Sequence, residues 1–116
     1  MERKVTLKQK PHEDYEQFSG IPFDKAFEIV NETGLQIGLV FLSDLTDGTV
    51  YIEWLEIMAC FRGYHYLGKI LMKIREKNSG KKIQLESSDE NLPKYLHSGC
   101  EQVGFDECTE MHILEY

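Results

Sequence analysis

Short runs rich in apolar residues, separated by turn residues, dominate the first half of the chain. The runs are Val5 to Lys10, Ala26 to Val30, Leu35 to Leu42 and Thr49 to Met58. Asn31-Glu32-Thr33-Gly34 joins the second run to the third, and Asn and Gly accept the positive φ angles of a hairpin. Asp47-Gly48 turns the chain again before the fourth run. The pattern predicts a first strand, a polar connection from Pro11 to Lys25, and a three-stranded antiparallel meander.

The fourth run is expected to present its side chains alternately to the two faces of the sheet. One face carries Tyr51, Glu53, Leu55 and Ile57, and the other carries Ile52, Trp54 and Glu56. Because each face then holds one carboxylate, at most one of Glu53 and Glu56 is expected to face a given cleft.

The spacing of apolar residues becomes helical after the meander. Leu67, Ile70, Leu71 and Ile74 fall at i, i+3, i+4 and i+7, which places them in one stripe along a helix. Asn78-Ser79-Gly80 would end this helix. Lys82 to Ser87 predicts a fifth strand, and a strand, a helix and a strand in that order imply a parallel right-handed crossover.

The last part of the chain predicts one more helix and one more strand. Asn91 can cap the helix, since Pro93 is tolerated in a first turn. The helix is expected to reach about Gln102 with a break at Gly99, and Phe105 to Glu115 closes the domain as a strand. Residues 1–116 therefore predict a single α+β domain of three-layer type, with a mixed, mostly antiparallel sheet and one parallel crossover.

The charge balance narrows the possible partners. The 116 residues carry 13 Lys and Arg against 20 Asp and Glu, a formal net charge of -7. There is no long basic run, so the general attraction to a phosphate backbone that supports nucleic-acid binding is missing. We therefore expect no nucleic-acid partner. A local basic spot can still hold an anion, and an acidic protein favours a cationic acceptor such as an amine.

The cysteine and hydropathy patterns favour a cytoplasmic protein. Cys60, Cys100 and Cys108 are odd in number and form no Cys-x-x-Cys pair, which fits a reduced compartment better than a disulfide framework. The chain has no apolar leader segment, and no stretch approaches the ~18 apolar residues of a membrane span. The histidines lack the spacing of metal ligands, so we expect no metal site.

The junction between the fourth run and the helix is the strongest clue to function. From Ile57 to Leu71 it reads Ile-Met-Ala-Cys-Phe-Arg-Gly-Tyr-His-Tyr-Leu-Gly-Lys-Ile-Leu. A helix that begins at the end of a strand leaves its first backbone N–H groups without partners and carries partial positive charge there. Such a junction suits a phosphate or pyrophosphate, so the expected ligand is a nucleotide-like cofactor.

This segment resembles the acyl-CoA-binding core of the GCN5-related N-acetyltransferase (GNAT) superfamily, whose signature is Arg-Gly-x-Gly-x-Gly before a Leu-rich helix. The order of predicted elements over roughly residues 26–116 is similar to that superfamily too, and Gly104-Phe105 resembles its Gly-Phe pair after the last helix. The resemblance implies a GNAT-like fold with acetyl-CoA as cosubstrate. It also implies transfer of the acetyl group, by direct attack, to an amine of a small molecule or peptide.

The resemblance implies which residues would hold acetyl-CoA. Backbone groups of Ile57, Met58, Ala59 and Cys60 would contact the pantetheine arm and the acetyl carbonyl. The pyrophosphate would be wrapped by backbone N–H groups of Arg62, Gly63, Tyr64, His65, Tyr66, Leu67, Gly68 and Lys69. Tyr64 and Tyr66 could flank the adenine or the pantetheine.

Two registers of the glycine signature are open. Aligned without gaps, the second and third glycines of the superfamily fall on His65 and Leu67. If the turn is one residue longer, Gly68 takes the place of the last glycine and allows the close backbone approach.

Four residues are candidates for acid–base chemistry. Glu53 or Glu56 could take the proton of the acceptor amine, directly or through water. Many members of the superfamily place a Tyr four residues before the Gly-Phe pair to protonate the departing thiolate, and Cys100 occupies that position. Cys100 could donate a proton or act as a small apolar filler, and Tyr95 is an alternative donor if the second helix is displaced.

The connection from Pro11 to Lys25 has room for one short helix, where the superfamily usually has one or two helices. The sequence therefore predicts an acceptor cleft that is open or completed by another subunit. Phe18, Ile21 and Phe23 are apolar in a region expected at the surface, so a homodimer is expected to cover them.

Two other classes of function are open. A noncatalytic relative could bind CoA or a protein partner in a regulatory role, and His65, Leu67 and Cys100 favour that interpretation. An unrelated α+β binding domain is the third interpretation, because a meander with two helices is common and a fold does not establish a function.

Overall fold

The structure is a computed structural model, and it describes residues 3–18, 20–63 and 65–116. Its strands are β1 (Val5–Lys10), β2 (Lys25–Asn31), β3 (Gln36–Asp44), β4 (Val50–Ile57), β5 (Ile83–Ser87), β6 (Glu101–Asp106) and β7 (Met111–Glu115). Its helices are α1 (Tyr66–Lys77) and α2 (Leu92–His97), with short 3₁₀ helices at His12–Tyr15 and Ala59–Phe61. The described strands form a seven-stranded sheet in the order β1-β2-β3-β4-β5-β7-β6.

The predicted meander and crossover are confirmed. Strands β1 to β4 pair antiparallel with their neighbours in sequence. Strand β4 pairs parallel with β5, which follows α1 along the chain. The sheet is thus mixed and mostly antiparallel, as the α+β prediction required. No helix in the described ranges is long and apolar enough to cross a membrane.

The main core lies between the sheet and α1. Ile70, Leu71 and Ile74 are fully buried there, and Leu67 packs against them at the margin, so the predicted apolar stripe is confirmed. Burying each such side chain stabilises the fold by roughly 1.5–3 kcal/mol. This packing fixes α1 across the sheet and holds its first turn near the end of β4.

A second, aromatic core lies on the opposite face of the sheet, because its strand members Ala26 and Phe41 alternate with residues of the main core. The segment between β1 and β2 covers this face. Phe23 stacks on Phe41 with ring centroids 4.4 Å apart, and Phe18 meets Phe41 edge-on at 5.0 Å. The expectation that Phe18, Ile21 and Phe23 need a second chain to cover them is therefore wrong, and association of two chains stays a prediction without that basis.

A β-bulge interrupts the pairing of β3 with β4. Phe41 pairs with Trp54, and the next residue, Leu42, pairs with Ile52, so Glu53 is the extra residue on β4. A bulge of this kind shifts the alternation of side chains beyond it. Trp54 packs against the aromatic core. Strict alternation would have placed Glu53 and Trp54 on opposite faces of the sheet, whereas the bulge lets both lie on the face of the aromatic core.

The end of the chain differs from its prediction in two places. Helix α2 stops at His97 instead of about Gln102, because Gly99 takes a φ of 105° and the Cys100 N–H closes the turn on the Tyr95 carbonyl at 3.0 Å. Gln102 belongs to β6 instead. The predicted single strand from Phe105 to Glu115 is a hairpin of β6 and β7, whose turn places Glu110 at a φ of 58°.

The start of α2 also departs from its prediction. Asn91 occupies the capping position, but its side chain makes no capping hydrogen bond. Its backbone N–H donates instead to the Ser88 hydroxyl at 3.3 Å. Pro93 lies in the first turn, where a missing N–H costs nothing, as expected.

Candidate functional site

Strands β4 and β5 pair only at their beginnings and then separate. The paired residues are Val50 with Ile83 and Tyr51 with Gln84. Strand β5 pairs with β7 along its other edge. On the side of β4, a cavity of about 1010 Å³ opens toward the carboxyl ends of the two parallel strands. A volume of this size is at the upper end of the usual range for small-molecule sites.

The cavity is lined by residues from two parts of the chain. From β4 and the turn that follows come Ile52, Glu53, Trp54, Leu55, Glu56, Ile57, Phe61, Arg62, Gly63, His65, Tyr66 and Leu67. From β5 and the α2 region come Leu85, Glu86, Glu90, Asn91, Pro93, Lys94, Tyr95, His97 and Ser98. The two diverging strands and the two helix starts therefore form its walls.

The exposed edge of β4 offers backbone groups to the cavity. Met58 donates its N–H to the Ile37 carbonyl at 2.7 Å, so the backbone groups of Met58 point toward β3. Because backbone groups alternate in direction along an antiparallel strand, those of Ile57 and Leu55 face the gap left by β5. The Ile57 carbonyl accepts a hydrogen bond from Arg62 Nε at 2.6 Å. The Ile57 N–H points to the same side.

The first turn of α1 begins at the cavity in an unusual backbone conformation. His65 precedes the helix with φ 61° and ψ 32°, a left-handed conformation that glycine adopts with less strain. Its side chain makes no capping hydrogen bond. This favours the ungapped register, in which His65 stands where the superfamily has glycine. Gly68 lies inside the helix, and a Cβ there would meet open space.

Glu53 is a partly buried carboxylate at the bulge of β4. It lines the cavity at the bulge, and burial raises its pKa above the ordinary value, with the charges of Asp24 and Glu86 adding to that effect. A hydrogen bond with the Ser43 side chain acts in the opposite direction. A partly desolvated carboxylate of this kind is suited to accept a proton.

Glu56 also lines the cavity, and it lies on the same face of β4 as Glu53. Glu56 pairs with Leu39 and shares its face with Trp54, while Leu55 and Ile57 pack toward the main core. The prediction that the two carboxylates occupy opposite faces is therefore wrong, because it assumed uninterrupted alternation across the bulge.

The two candidate proton donors, Tyr95 and Cys100, differ in their position relative to the cavity. Tyr95 lines the cavity from α2, and burial raises its pKa to about 12. Cys100 is 7% exposed, belongs to the main core and is absent from the cavity wall; burial raises its pKa to about 11. Both groups keep their protons at neutral pH, and of the two only Tyr95 lines the cavity.

The remaining predicted cofactor residues fall into two sets. Ile57, Arg62, Gly63, His65, Tyr66 and Leu67 line the cavity, whereas Met58, Ala59, Cys60, Gly68 and Lys69 do not. The prediction for Tyr64 lies outside the described residues. Tyr66 is 5% exposed, and its hydroxyl is bonded to Glu32, so its ring belongs to the wall and its hydroxyl is already engaged.

One wall of the cavity was missed by sequence reasoning. Glu86, Glu90 and Lys94 come from the end of β5 and the start of α2. The signal was the predicted crossover itself, because ligands in parallel sheets bind beyond the carboxyl ends of the strands. Within the part of the chain that the structure describes, no three His, Cys, Asp or Glu side chains converge as a metal site.

No family model matches the chain, and no curated protein sequence matches it. Several solved structures do match the chain. An IAA acetyltransferase from Bacillus cereus ATCC 14579 is similar with a TM-score of 0.73 at 16% identity, covering 97% of this chain and 98% of that one. A mutant of the spermidine N-acetyltransferase SpeG from Vibrio cholerae has a TM-score of 0.72 at 12% identity, covering 97% and 93%.

A dodecameric structure of the spermidine N-acetyltransferase from Vibrio cholerae is similar with a TM-score of 0.66 at 14% identity, covering 97% of this chain and 91% of that one. At these identities the similarities establish the fold. The chain therefore has the GNAT fold, which confirms the fold that the sequence resemblance implied.

Proposed function

We propose that this protein is an N-acetyltransferase that transfers the acetyl group of acetyl-CoA to an amine. The separation of β4 from β5 carries this proposal, since it opens a cavity between the backbone N–H of Ile57 and the start of α1. Glu53 lines the same cavity, so a proton acceptor lies beside these groups. The neighbours named as spermidine N-acetyltransferases support an amine as the acceptor.

The residues present fit acetyl-CoA. The first-turn N–H groups of α1, with Arg62 beside them, suit the pyrophosphate, because a helix N-terminus carries partial positive charge. The free edge of β4 suits the pantetheine amides, which can pair with it as a strand would. Lys94 and His97 add basic side chains from the opposite wall.

The reaction needs a proton acceptor and a proton donor. Glu53 takes the proton of the ammonium group, directly or through water, which frees the nitrogen lone pair. The C–N bond forms as the C–S bond of the thioester breaks, and the Ile57 N–H stabilises the carbonyl oxygen as negative charge develops. Tyr95 gives its proton to the departing thiolate, and the second proton that the nitrogen loses as the amide forms returns to Tyr95 through water.

Calorimetry with acetyl-CoA, followed by an assay of thiol release, tests the proposal. We expect acetyl-CoA to bind, and at least one member of a panel of primary amines to release free CoA thiol. Arg62→Glu should weaken binding, because a negative charge at this position opposes the phosphates. Lys82→Glu, at a residue that does not line the cavity, is the control for the same change of charge. Absence of acetyl-CoA binding would reject the proposal.

A noncatalytic CoA-binding protein is the second candidate. His65 in a glycine position and the Arg62 contact on the Ile57 carbonyl favour it, because both make the site less open to a cofactor. The same two assays separate the candidates. Binding of acetyl-CoA without thiol release across the amine panel would favour the noncatalytic role.

A further inference from the structure

The first residue of α1 is tied to the β2–β3 turn. The Tyr66 hydroxyl donates to the Glu32 carboxylate, with distances of 2.9 Å to Oε1 and 2.6 Å to Oε2. This hydrogen bond raises the pKa of Tyr66 and lowers the pKa of Glu32. It joins residues 34 positions apart, so it fixes the helix start relative to the meander.

The turn that carries Glu32 is itself well ordered by hydrogen bonds. Asn31 Oδ1 accepts from the Thr33 N–H at 3.0 Å, the Thr33 hydroxyl at 2.8 Å and the Leu35 N–H at 3.0 Å. An Asn side chain that bonds to the following backbone in this way holds a turn in one conformation. The Glu32 carboxylate is therefore carried by a turn that has hydrogen bonds of its own.

The start of α1 has no side-chain N-cap. His65 makes no side-chain cap, and its left-handed conformation carries a backbone cost. Core packing fixes the body of α1, and the position of Tyr66 adjusts the direction of the first-turn N–H groups. The Tyr66 ring lines the cavity and meets Phe61 edge-on at 6.3 Å. A shift of this residue would turn those N–H groups away from a bound phosphate.

We propose that Glu32 and Tyr66 are positioning residues for acyl-CoA, which hold the first turn of α1 in the orientation that binds the pyrophosphate. The inference rests on the proposed function, because it needs acetyl-CoA as the ligand. Neither residue has to touch the pyrophosphate for this role. Glu32 acts through Tyr66, and Tyr66 acts through the backbone that follows it.

The sign of the effect distinguishes positioning from simple electrostatics. If Glu32 influenced the cofactor only through its negative charge, removing the charge would strengthen the binding of an anionic pyrophosphate. If Glu32 positions the helix start, its removal weakens binding despite the favourable change in charge. Glu32→Ala therefore gives opposite outcomes under the two accounts.

The test compares four variants and two ligands by calorimetry. Tyr66→Phe and Glu32→Ala remove the hydrogen bond, and Glu32→Gln keeps an acceptor oxygen without the charge. Tyr116→Phe is the matched control, because Arg75 donates to the Tyr116 hydroxyl at 3.3 Å near the other end of α1. The ligands are acetyl-CoA and S-acetylpantetheine, which carries the same thioester without the pyrophosphate.

We expect Tyr66→Phe and Glu32→Ala each to weaken acetyl-CoA binding by about tenfold, in line with the cost of a small misplacement of binding groups. Glu32→Gln should lose less than Glu32→Ala, and Tyr116→Phe should keep the wild-type affinity. Binding of S-acetylpantetheine should change little in any of them, since it lacks the group that the first turn holds.

Three outcomes would overturn the inference. Wild-type affinity for acetyl-CoA in both Tyr66→Phe and Glu32→Ala would reject the positioning role while leaving the proposed function intact. Equal losses for both ligands would assign the tether to general stability of the fold. A wild-type protein that binds no acetyl-CoA would reject the proposed function, and the inference with it. Circular dichroism confirms that each variant is folded before titration.

Discussion

Glu53 and Glu56 lie on the same face of β4, although three residues apart they would occupy opposite faces of a regular strand. The bulge at Glu53 brings both carboxylates to the face that carries the aromatic core. Both also line the cavity where β4 leaves β5. The geometry thus offers two carboxylates to an acceptor amine, and their surroundings must decide which one takes the proton.

We predict that Glu53→Gln lowers kcat by about 10² to 10⁴-fold, the usual range for loss of a general base. Burial favours Glu53 for this role, because it raises the pKa of that carboxyl and makes it a better proton acceptor. Glu56→Gln removes the same charge from the same face and is the matched control. Steady-state kinetics with acetyl-CoA and the best amine of the panel would measure both. A larger loss of kcat in Glu56→Gln would reverse the assignment.

A second prediction concerns the proton donor. Tyr95→Phe should lower kcat by about 10²-fold while leaving the stability and the affinity for acetyl-CoA close to wild type, since only the hydroxyl is lost. Cys100→Ala should instead leave kcat unchanged and lower the free energy of unfolding by about 1 kcal/mol, because it removes a buried sulfur from the core. Kinetics and urea unfolding of both variants would check this. Normal turnover in Tyr95→Phe would exclude it as the donor.

Much of the fold could be predicted because local pattern and final structure agree. The apolar stripe of α1 and the turns of the meander at Asn31–Gly34 and Asp47–Gly48 carry direct signals for their conformations. The bulge could not be predicted in this way. Nothing in the residues around Glu53 marks it, because it arises from how β4 fits against β3 and the aromatic core.

The C-terminal hairpin shows another limit of sequence reasoning. Its turn holds Glu110 at a positive φ, where hairpin turns usually place Gly or Asn, so the standard signal was missing. Asp106 was a weaker signal for a turn, because Asp often accepts a hydrogen bond from the backbone two residues later. Its carboxylate accepts the Cys108 N–H at 2.9 Å. The cavity wall from β5 and α2 was missed because it forms only when the strands diverge.

A third prediction tests the close contact between β3 and β4. A Cβ on Gly38 would overlap the Glu56 carbonyl oxygen, so Gly38→Ala must displace backbone. We expect it to lower the free energy of unfolding by about 1–3 kcal/mol, as overpacking of a well-packed site does. Gly68→Ala is the control, since its Cβ meets open space inside α1 and should stabilise the helix by about 0.5–1 kcal/mol. Urea denaturation measures both, and equal effects would contradict the contact.

The last prediction follows from the raised pKa of Glu53. A carboxyl whose pKa is higher in the folded state than in the unfolded state binds its proton more tightly in the folded state. Its contribution to stability is therefore fully present below the unfolded-state pKa, near pH 4, and it is lost as the pH rises through the folded-state value. Glu53→Gln should remove this loss, because an uncharged amide does not titrate.

Urea unfolding of the wild type and Glu53→Gln across about pH 3.5 to 8 would measure the effect. The difference in unfolding free energy should be constant below about pH 4, then shift in favour of Glu53→Gln as the pH rises, and level off above the folded-state pKa. Glu56→Gln controls for the loss of one negative charge on the same face. If the difference in unfolding free energy between the wild type and Glu53→Gln is the same at every pH, burial at the bulge does not raise the pKa of Glu53. The main reason for preferring Glu53 as the base would then be lost.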